Sequence, residues 1–328
     1  MRGVRENTRC VHLPGDERTA EGLAAAVAAL EGAAAPEDVA GAAFVSGHAA
    51  LTVILMTFLR GGTHLVAPAP GAGLLANVIA RFGVSADFVD FSDLDRVRQA
   101  VKPTTKILFA ESLSDEVADI RSLYRIARQS GALLVVDSTQ ATPIVCRPLE
   151  HGADLVLHSS GPMLDGVGGV VTGRPDLVSR LRQVGRDLGA ELPAEEAIHL
   201  RRGLRTLPLR VRRMCSTAMV FAAAVAKHPA VLRVGYPGLP DHPGHLLARQ
   251  LFDSGPEGTR FGGGVSVTPR GEPEDLLRGL KLIATGPYGG PFTTASVLGN
   301  RVRFSMGLED AEDLITDVSR ALEYIGSP

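Results

Sequence analysis

Short runs rich in Val and Leu recur through the first half of the chain, each followed by a stretch of helical character. AAFV (42–45) precedes a Ser46-Gly47 turn and the apolar segment HAALTVILMTFL. HLVA (64–67) precedes a Gly/Pro turn and LLANVIARFG (74–83), and ADFVDF (86–91) leads to a short helix. KILFAES (106–112) leads to a helix around 117–130, and ALLVVD (132–137) and ADLVLHSS (153–160) complete the series. Strands this apolar are buried on both faces, so their alternation with helices predicts a parallel sheet covered by helices on either side. VGGVVTG (167–173) reads as an added antiparallel edge, and residues 20–31, full of strong helix formers, read as a helix.

Beyond residue 174 the pattern turns helical, with helices expected at 175–187 and 194–228. PGLPDHPGH (237–245) is a Pro/Gly-rich connector. GGVSVT, a helix at 274–285, RVRFSM and a last helix at 308–325 form a smaller α+β part. The expected architecture is α/β, with a large domain over residues 1–229 and a small one over 230–328.

Charge narrows the function classes. The 328 residues carry 34 basic and 36 acidic side chains, a net charge of −2, which supplies no electrostatic attraction to nucleic acid or anionic membrane. No apolar run is long enough to span a bilayer, and MRGVRENTRCVHLPGDE lacks the apolar core of a secretory signal, so a cytoplasmic protein is expected. Cys10, Cys146 and Cys215 show no metal-binding or disulfide spacing. Only four of the 34 basic residues are lysine: Lys102, Lys106, Lys227 and Lys281.

Ligands of open α/β sheets sit beyond the carboxyl ends of the strands. Ser46-Gly47, Glu111, Asp137 and His158-Ser159-Ser160 fall at such ends. Ser46-Gly47 opens a helix, so its amides and the helix dipole suit an anion, although an N-cap serine accounts for it equally. Asp137 ends the most apolar strand, where a carboxylate is costly unless a cation or donor meets it; capping the turn Ser138-Thr139-Gln140 is the other reading.

Taken in order, several segments resemble the Cys/Met-metabolism family of pyridoxal-phosphate enzymes, which includes cystathionine γ-synthase and cystathionine γ-lyase. They are SGHAA (46–50), TKILFAES (105–112), VVDSTQATPIVCRPLEHGADLVLHSS (135–160), LRRGLRTLPLR (200–210), HPAVLRVGYPGLPDHPGH (228–245) and RVRFSMGLEDAEDLITDVSRAL (301–322). The resemblance implies the aspartate-aminotransferase-like fold (fold type I), with a mostly parallel seven-stranded sheet, assembled as a homodimer or homotetramer. It implies that Ser46, Gly47, the neighbouring His48 and Ser159 surround the cofactor phosphate. Asp137 would keep the pyridine nitrogen protonated, and Arg303 would fork onto a substrate α-carboxylate.

The resemblance fails where the chemistry lies. The family continues S-x-T-K, its lysine forming the Schiff base; here the run is Ser159-Ser160-Gly161-Pro162, and proline has no amine. The stretch that resembles the ring-stacking tyrosine turn reads Pro68-Ala69-Pro70-Gly71-Ala72-Gly73. The N-P-T that follows the family's cross-dimer Tyr-x-Arg reads Glu17-Arg18-Thr19, and the first tyrosine in the chain is Tyr124. Much of the N-terminal arm is also expected to be missing. The family's ring-side asparagine becomes Asp115, within Ser114-Asp115-Glu116, and the substrate loop shortens to Ala295–Asn300.

Two functional expectations follow. One is a lysine-less homologue that binds a small anionic or amino-acid-like ligand, or pairs as a heteromer with a catalytic paralogue. The other is an enzyme repurposed for specialised amino-acid or sulfur-related metabolism, with His48, Asp115, Glu116, Asp137, His158 and Arg303 as the groups available. Its catalytic candidates are His48, Asp115 and His158. Either non-covalent pyridoxal phosphate or no cofactor is compatible with the site, and no metal is expected.

Overall fold

The computed structural model describes residues 12–32, 38–69, 75–76, 79–80, 83–159, 161, 166–286 and 290–325. Two units pack separately: Met1–Ser112 with Ala118–Arg205, and Leu113–Val117 with Thr206–Pro328.

In the first unit seven strands form one sheet: β1 (Ala40–Phe44), β2 (His64–Pro68), β3 (Ser85–Val89), β4 (Thr105–Glu111), β5 (Leu133–Asp137), β6 (Leu155–Ser159) and β7 (Gly169–Gly173). Their order is β1-β7-β6-β5-β4-β2-β3. The strands from β6 through β3 run parallel, whereas β7 is antiparallel to both β6 and β1. The expected edge strand is therefore interior. All five residues of β7 are buried, and its two end glycines leave no room for side chains: a Cβ on Gly173 would sit 2.3 Å from the Asp154 carbonyl oxygen.

Alternate strand residues face opposite helix layers. Phe44, Leu65, Ile107, Val135, Leu155 and Val171 join one apolar core with α2 (Gly47–Phe58) and the later helix Pro175–Asp187. The other face is covered by α1 (Ala20–Leu30), with α4 (Ile120–Ser130) over β4 and β5. The remaining helix of this region, α3 (Leu94–Ala100), follows β3. The helix expected at 74–83 lies largely outside the described residues.

Sequence and structure part company after residue 193. The expected helix 194–228 is two helices, Ala194–Arg205 and Leu207–Val225, interrupted at Thr206. Pro208 explains the break, because it lacks an N–H and clashes with the turn before it. The second of these helices packs on the strands Val231–Gly235 and Gly264–Pro269 and on the last helix, Ala311–Ile325. The division between units consequently falls after Arg205 and not at 229/230. The helix expected at 274–285 spans only Pro273–Gly279, because the Asp317 carboxylate accepts the N–H groups of Lys281, Leu282 and Ile283 and turns the chain out of helix.

The second unit holds a mostly antiparallel five-stranded sheet. Val265, Val267, Ala295, Val302 and Phe304 bury one of its faces, with Phe304 against the Phe221 ring. Among the described residues, no helix is long and apolar enough to cross a membrane.

One buried contact fastens β6 to α1. Nε2 of His158 lies 2.6 Å from Oε1 of Glu31, and both side chains are wholly buried. Replacing Glu31 with Ala leaves the imidazole without that partner, so Glu31→Ala is expected to lower stability by about 2–3 kcal/mol in urea titrations. The far-UV circular dichroism of the folded state should be unchanged.

Candidate functional site

The parallel strands β4, β5 and β6 end side by side. Glu111 is register partner to Asp137, and Asp137 to Leu157, which places Ser159 just beyond. Past the strands the chains stay tied: the Ser138 N–H donates to the Leu157 carbonyl at 2.9 Å, and the Ser112 and Ser138 hydroxyls lie 2.9 Å apart. The Asp137 carboxylate accepts the Thr139 N–H at 2.9 Å, and the Thr139 hydroxyl accepts the Ser159 N–H at 2.9 Å. Thr139 thus couples the acid to the serine of the next strand. Burial pushes the Asp137 carboxyl above the ordinary carboxylate range, against the opposing effect of the Thr139 hydrogen bonds and of the charge on His158.

The turn after Asp137 is held under strain. Thr142 has φ 58°, a left-handed conformation costly for a β-branched residue, by about 1–3 kcal/mol. Its N–H donates to the Ser138 carbonyl at 2.8 Å, and its carbonyl accepts the Cys146 N–H at 3.1 Å. Those bonds over-determine the turn.

The N-terminus of α2 meets Ser159 directly. Ser46 is the N-cap, its hydroxyl accepting the Ala49 N–H at 3.0 Å. Gly47 is pressed so closely on β6 that a Cβ there would lie 2.4 Å from Oγ of Ser159. On β7, a Cβ on Gly169 would lie 2.8 Å from the Gly47 nitrogen. Two glycines therefore bring a helix N-terminus, with its positive dipole end and no acidic residue in its first turn, against Ser159, whose N–H is tied through Thr139 to Asp137. The arrangement suits an anion at Ser46-Gly47-Ser159 and a cationic or proton-bearing nitrogen at Asp137.

The structure brings Ser46, Gly47, Asp137 and Ser159 together and disperses the other candidates. His48 is exposed on the first turn of α2. His158 points away into its contact with Glu31. Asp115 belongs to the second unit, where one carboxylate oxygen accepts the Ser266 hydroxyl at 2.5 Å and the other meets Arg301 at 2.9 Å. Both oxygens are committed, which disfavours Asp115 as a general base. Glu116 is exposed. Arg303, also in the second unit, stands across from Ser266 and Ser296 in the sheet, and its guanidinium makes no hydrogen bond or ion pair with any described residue. Ser160, Pro162 and the stretch 70–74 lie outside the described residues, as do 287–289.

All four lysines are exposed. Lys106 stands at the start of β4, about 16 Å along the strand from Glu111. Lys102 precedes it and pairs with Asp87 at 2.7 Å. Among the described residues, no group of three or more His, Cys, Asp or Glu is placed to hold a metal ion. Thr139 and Glu31 are the participants that sequence reasoning passed over. The Asp-Ser-Thr order marked a turn residue, but nothing local signalled that its hydroxyl would reach the next strand.

Comparison with known proteins places the chain in a family. A family model described as Cys/Met metabolism PLP-dependent enzyme matches residues 15–283. The chain is 37% identical to an L-methionine gamma-lyase of Pseudomonas putida, over 92% of this chain and 82% of that protein. It is 35% identical to a cystathionine gamma-lyase of Bacillus subtilis, over 87% and 83%. A crystal structure of cystathionine gamma-lyase from Lactobacillus plantarum, complexed with L-serine, superposes with a TM-score of 0.86 at 27% identity, covering 98% of this chain and 89% of that one. With family motifs in order and the fold of a solved relative, the chain belongs to the Cys/Met-metabolism family of pyridoxal-phosphate-dependent enzymes and has the aspartate-aminotransferase-like fold.

Proposed function

We propose that this family member holds a small phosphate-bearing or otherwise anionic ligand without a covalent anchor and does not run ordinary transsulfuration chemistry. The observation that carries this reading is the distribution of amines. Proline occupies position 162, where the family motif has its lysine, and Lys102 and Lys106 lie at or before the amino end of β4 while Asp137 is at the carboxyl end of β5. Lys227 and Lys281 are exposed in the second unit.

The site fits part of the family cofactor. Gly47 and Ser159 with the α2 amides suit its phosphate, and the half-buried Asp137 carboxylate suits a protonated pyridine nitrogen. When bound, pyridoxal phosphate supplies an electron-withdrawing ring. The protein's part is to hold a proton at the ring nitrogen through Asp137 and to fix the phosphate against α2. The free guanidinium of Arg303 suits a carboxylate, as the resemblance implies. A ligand-binding partner of a lysine-bearing paralogue and a repurposed enzyme are both consistent with such a pocket. His48 is the exposed imidazole available to the second, and an activity lost in His48→Ala and retained in Lys106→Ala would favour it.

Titration with pyridoxal phosphate, followed by calorimetry and absorbance together, tests the proposal. Saturable binding is expected with the free-aldehyde spectrum retained and with no label left on the protein after borohydride reduction. A shifted Schiff-base band, or pyridoxyl-lysine in a reduced digest, would overturn it. No keto acid or ammonia should form from methionine, cystathionine or O-acylated homoserine, even with added cofactor.

Two substitutions probe the cradle. Gly47→Ala forces a Cβ onto Ser159, and a loss of at least about tenfold in phosphate-ligand affinity is expected without loss of fold. For Asp137 the sign is set by burial, which raises its folded pKa. The folded protein then binds the proton more tightly than the unfolded chain, so stability falls as pH rises through the folded pKa. Asp137→Asn removes that cost and should raise the neutral-pH Tm by about 2–4 °C while abolishing ligand binding. A lower Tm in this variant would show that the carboxylate serves the fold.

A further inference from the structure

At the amino ends of β2, β3 and β4, opposite the strand-end pocket, a wholly buried imidazole lies between an acid and an amine. The pairing of β2 with β4 is irregular here: His64 stands across from Thr105 and Leu65 from Ile107, so Lys106 is passed over and left exposed. Nδ1 of His64 is 2.8 Å from the Thr105 hydroxyl oxygen, and both residues are closed to solvent. Nε2 is 3.4 Å from Nζ of Lys102 and also 3.4 Å from Oδ2 of Asp87. Lys102 and Asp87 themselves meet at 2.7 Å.

The equal distances give Nε2 two partners with opposite demands. An ammonium only donates, so Lys102 needs a bare Nε2; a carboxylate only accepts, so Asp87 needs Nε2–H. Thr105 is indifferent to the choice, because its oxygen accepts Nδ1–H in either case while also accepting the Lys102 N–H at 2.8 Å. Burial, reinforced by the charge on Lys102, holds the imidazole below its ordinary range against the pull of Asp87. The hydrogen bond from Lys102 holds the Asp87 carboxyl below the usual carboxylate range. At neutral pH the ring is therefore uncharged and accepts from Lys102, which bridges it to Asp87. Lys102 and Asp87 are the charged groups that act on the ring. Those of the surrounding elements are engaged or exposed. On α3, packed against β3, Arg96 and Arg98 meet Asp93 and Asp95, and beyond β3 Asp90 accepts from Ser92. Arg60 before β2, Lys106 on β4, and Arg121, Arg125 and Arg128 on α4 over β4 are exposed.

We propose that His64, Asp87 and Lys102 form an acid-operated latch, in which a proton taken up at Nε2 transfers Asp87 from Lys102 to the imidazole and frees the connection between α3 and β4. The proton comes from water; Lys102 stays an ammonium and Asp87 a carboxylate, so the cluster gains one positive charge. Imidazolium and ammonium then repel, and the better-fixed cation keeps the carboxylate. His64 is held by its strand and by Thr105, whereas Lys102 belongs to an exposed turn closed by the Thr105 N–H on the Lys102 carbonyl at 2.9 Å. The folded chain binds this proton less tightly than the unfolded chain, so the latch costs stability as pH falls below the ordinary imidazole range. It lies at the other end of the sheet from the anion site, and its test needs no ligand.

Imidazole nitrogen NMR of the full-length protein, with His64→Asn identifying the resonances, provides that test. At neutral pH His64 should show a protonated Nδ1 and a bare Nε2, and should take its second proton only below the ordinary imidazole range. Amide exchange at Lys102 and Thr105, corrected for its intrinsic pH dependence, should quicken at least about fivefold across that titration, and His64→Asn should abolish the effect. Lys102→Gln should raise the proton affinity of His64 about tenfold, and Asp87→Asn should lower it about tenfold. Both of those side chains reach solvent, so the two variants are expected to fold, and they decide the matter even if His64→Asn does not. A protonated Nε2 at neutral pH, shifts of the same sign in the two variants, or exchange at Lys102 and Thr105 that ignores the titration would overturn the proposal.

Discussion

The contact between Gly47 and Ser159 is the constraint on which the pocket depends. A helix can present its N-terminal amides to a ligand only if its first turn reaches the plane where the strands end, and any side chain at position 47 would keep α2 away. Gly169 removes the same obstacle on β7, and the antiparallel pairing of β7 with both β1 and β6 fixes Phe44 and Ser159 on either side of it. The interior place of β7 therefore sets how closely α2 approaches Ser159. An edge strand would have left the start of α2 one strand away from Ser159.

Asp137 is the counterpart of that contact. A carboxylate at the end of a strand as apolar as Leu133–Asp137 is unfavourable in the protein alone, and Thr139 offsets only part of the cost. The strained left-handed Thr142 lies in the same turn. Unfavourable charge and backbone strain in one turn are expected where a ligand supplies the missing partner, and neither is needed to close a β–α connection. The Glu31–His158 contact, on the other side of the sheet, gives each buried group one partner from within the fold.

Much of this was legible in the sequence, for identifiable reasons. Strands β4, β5 and β6 carry continuous Val/Leu runs that only a doubly covered sheet can bury, and their last residues, Glu111, Asp137 and Ser159, announced the site because ligands gather at carboxyl ends. What failed to read through were contacts set by tertiary packing. The position of β7 depends on which strand pairs with it, which two glycines and two valines do not declare. The role of His158 depended on Glu31, 127 residues away. Asp115 sits between strand and helix in the chain, yet its partners Ser266 and Arg301 belong to the C-terminal sheet, so no local pattern could place it. The break at Thr206 was the exception, since Pro208 gave a local reason for it.

The scarcity of lysine bears directly on the strand-end site. In the pocket, arginine cannot stand in for lysine: its guanidinium stays protonated at any physiological pH and is no nucleophile, so a chain rich in arginine does not thereby recover an amine near Asp137. An anion held at the N-terminus of α2, against Ser159, is what these residues support best.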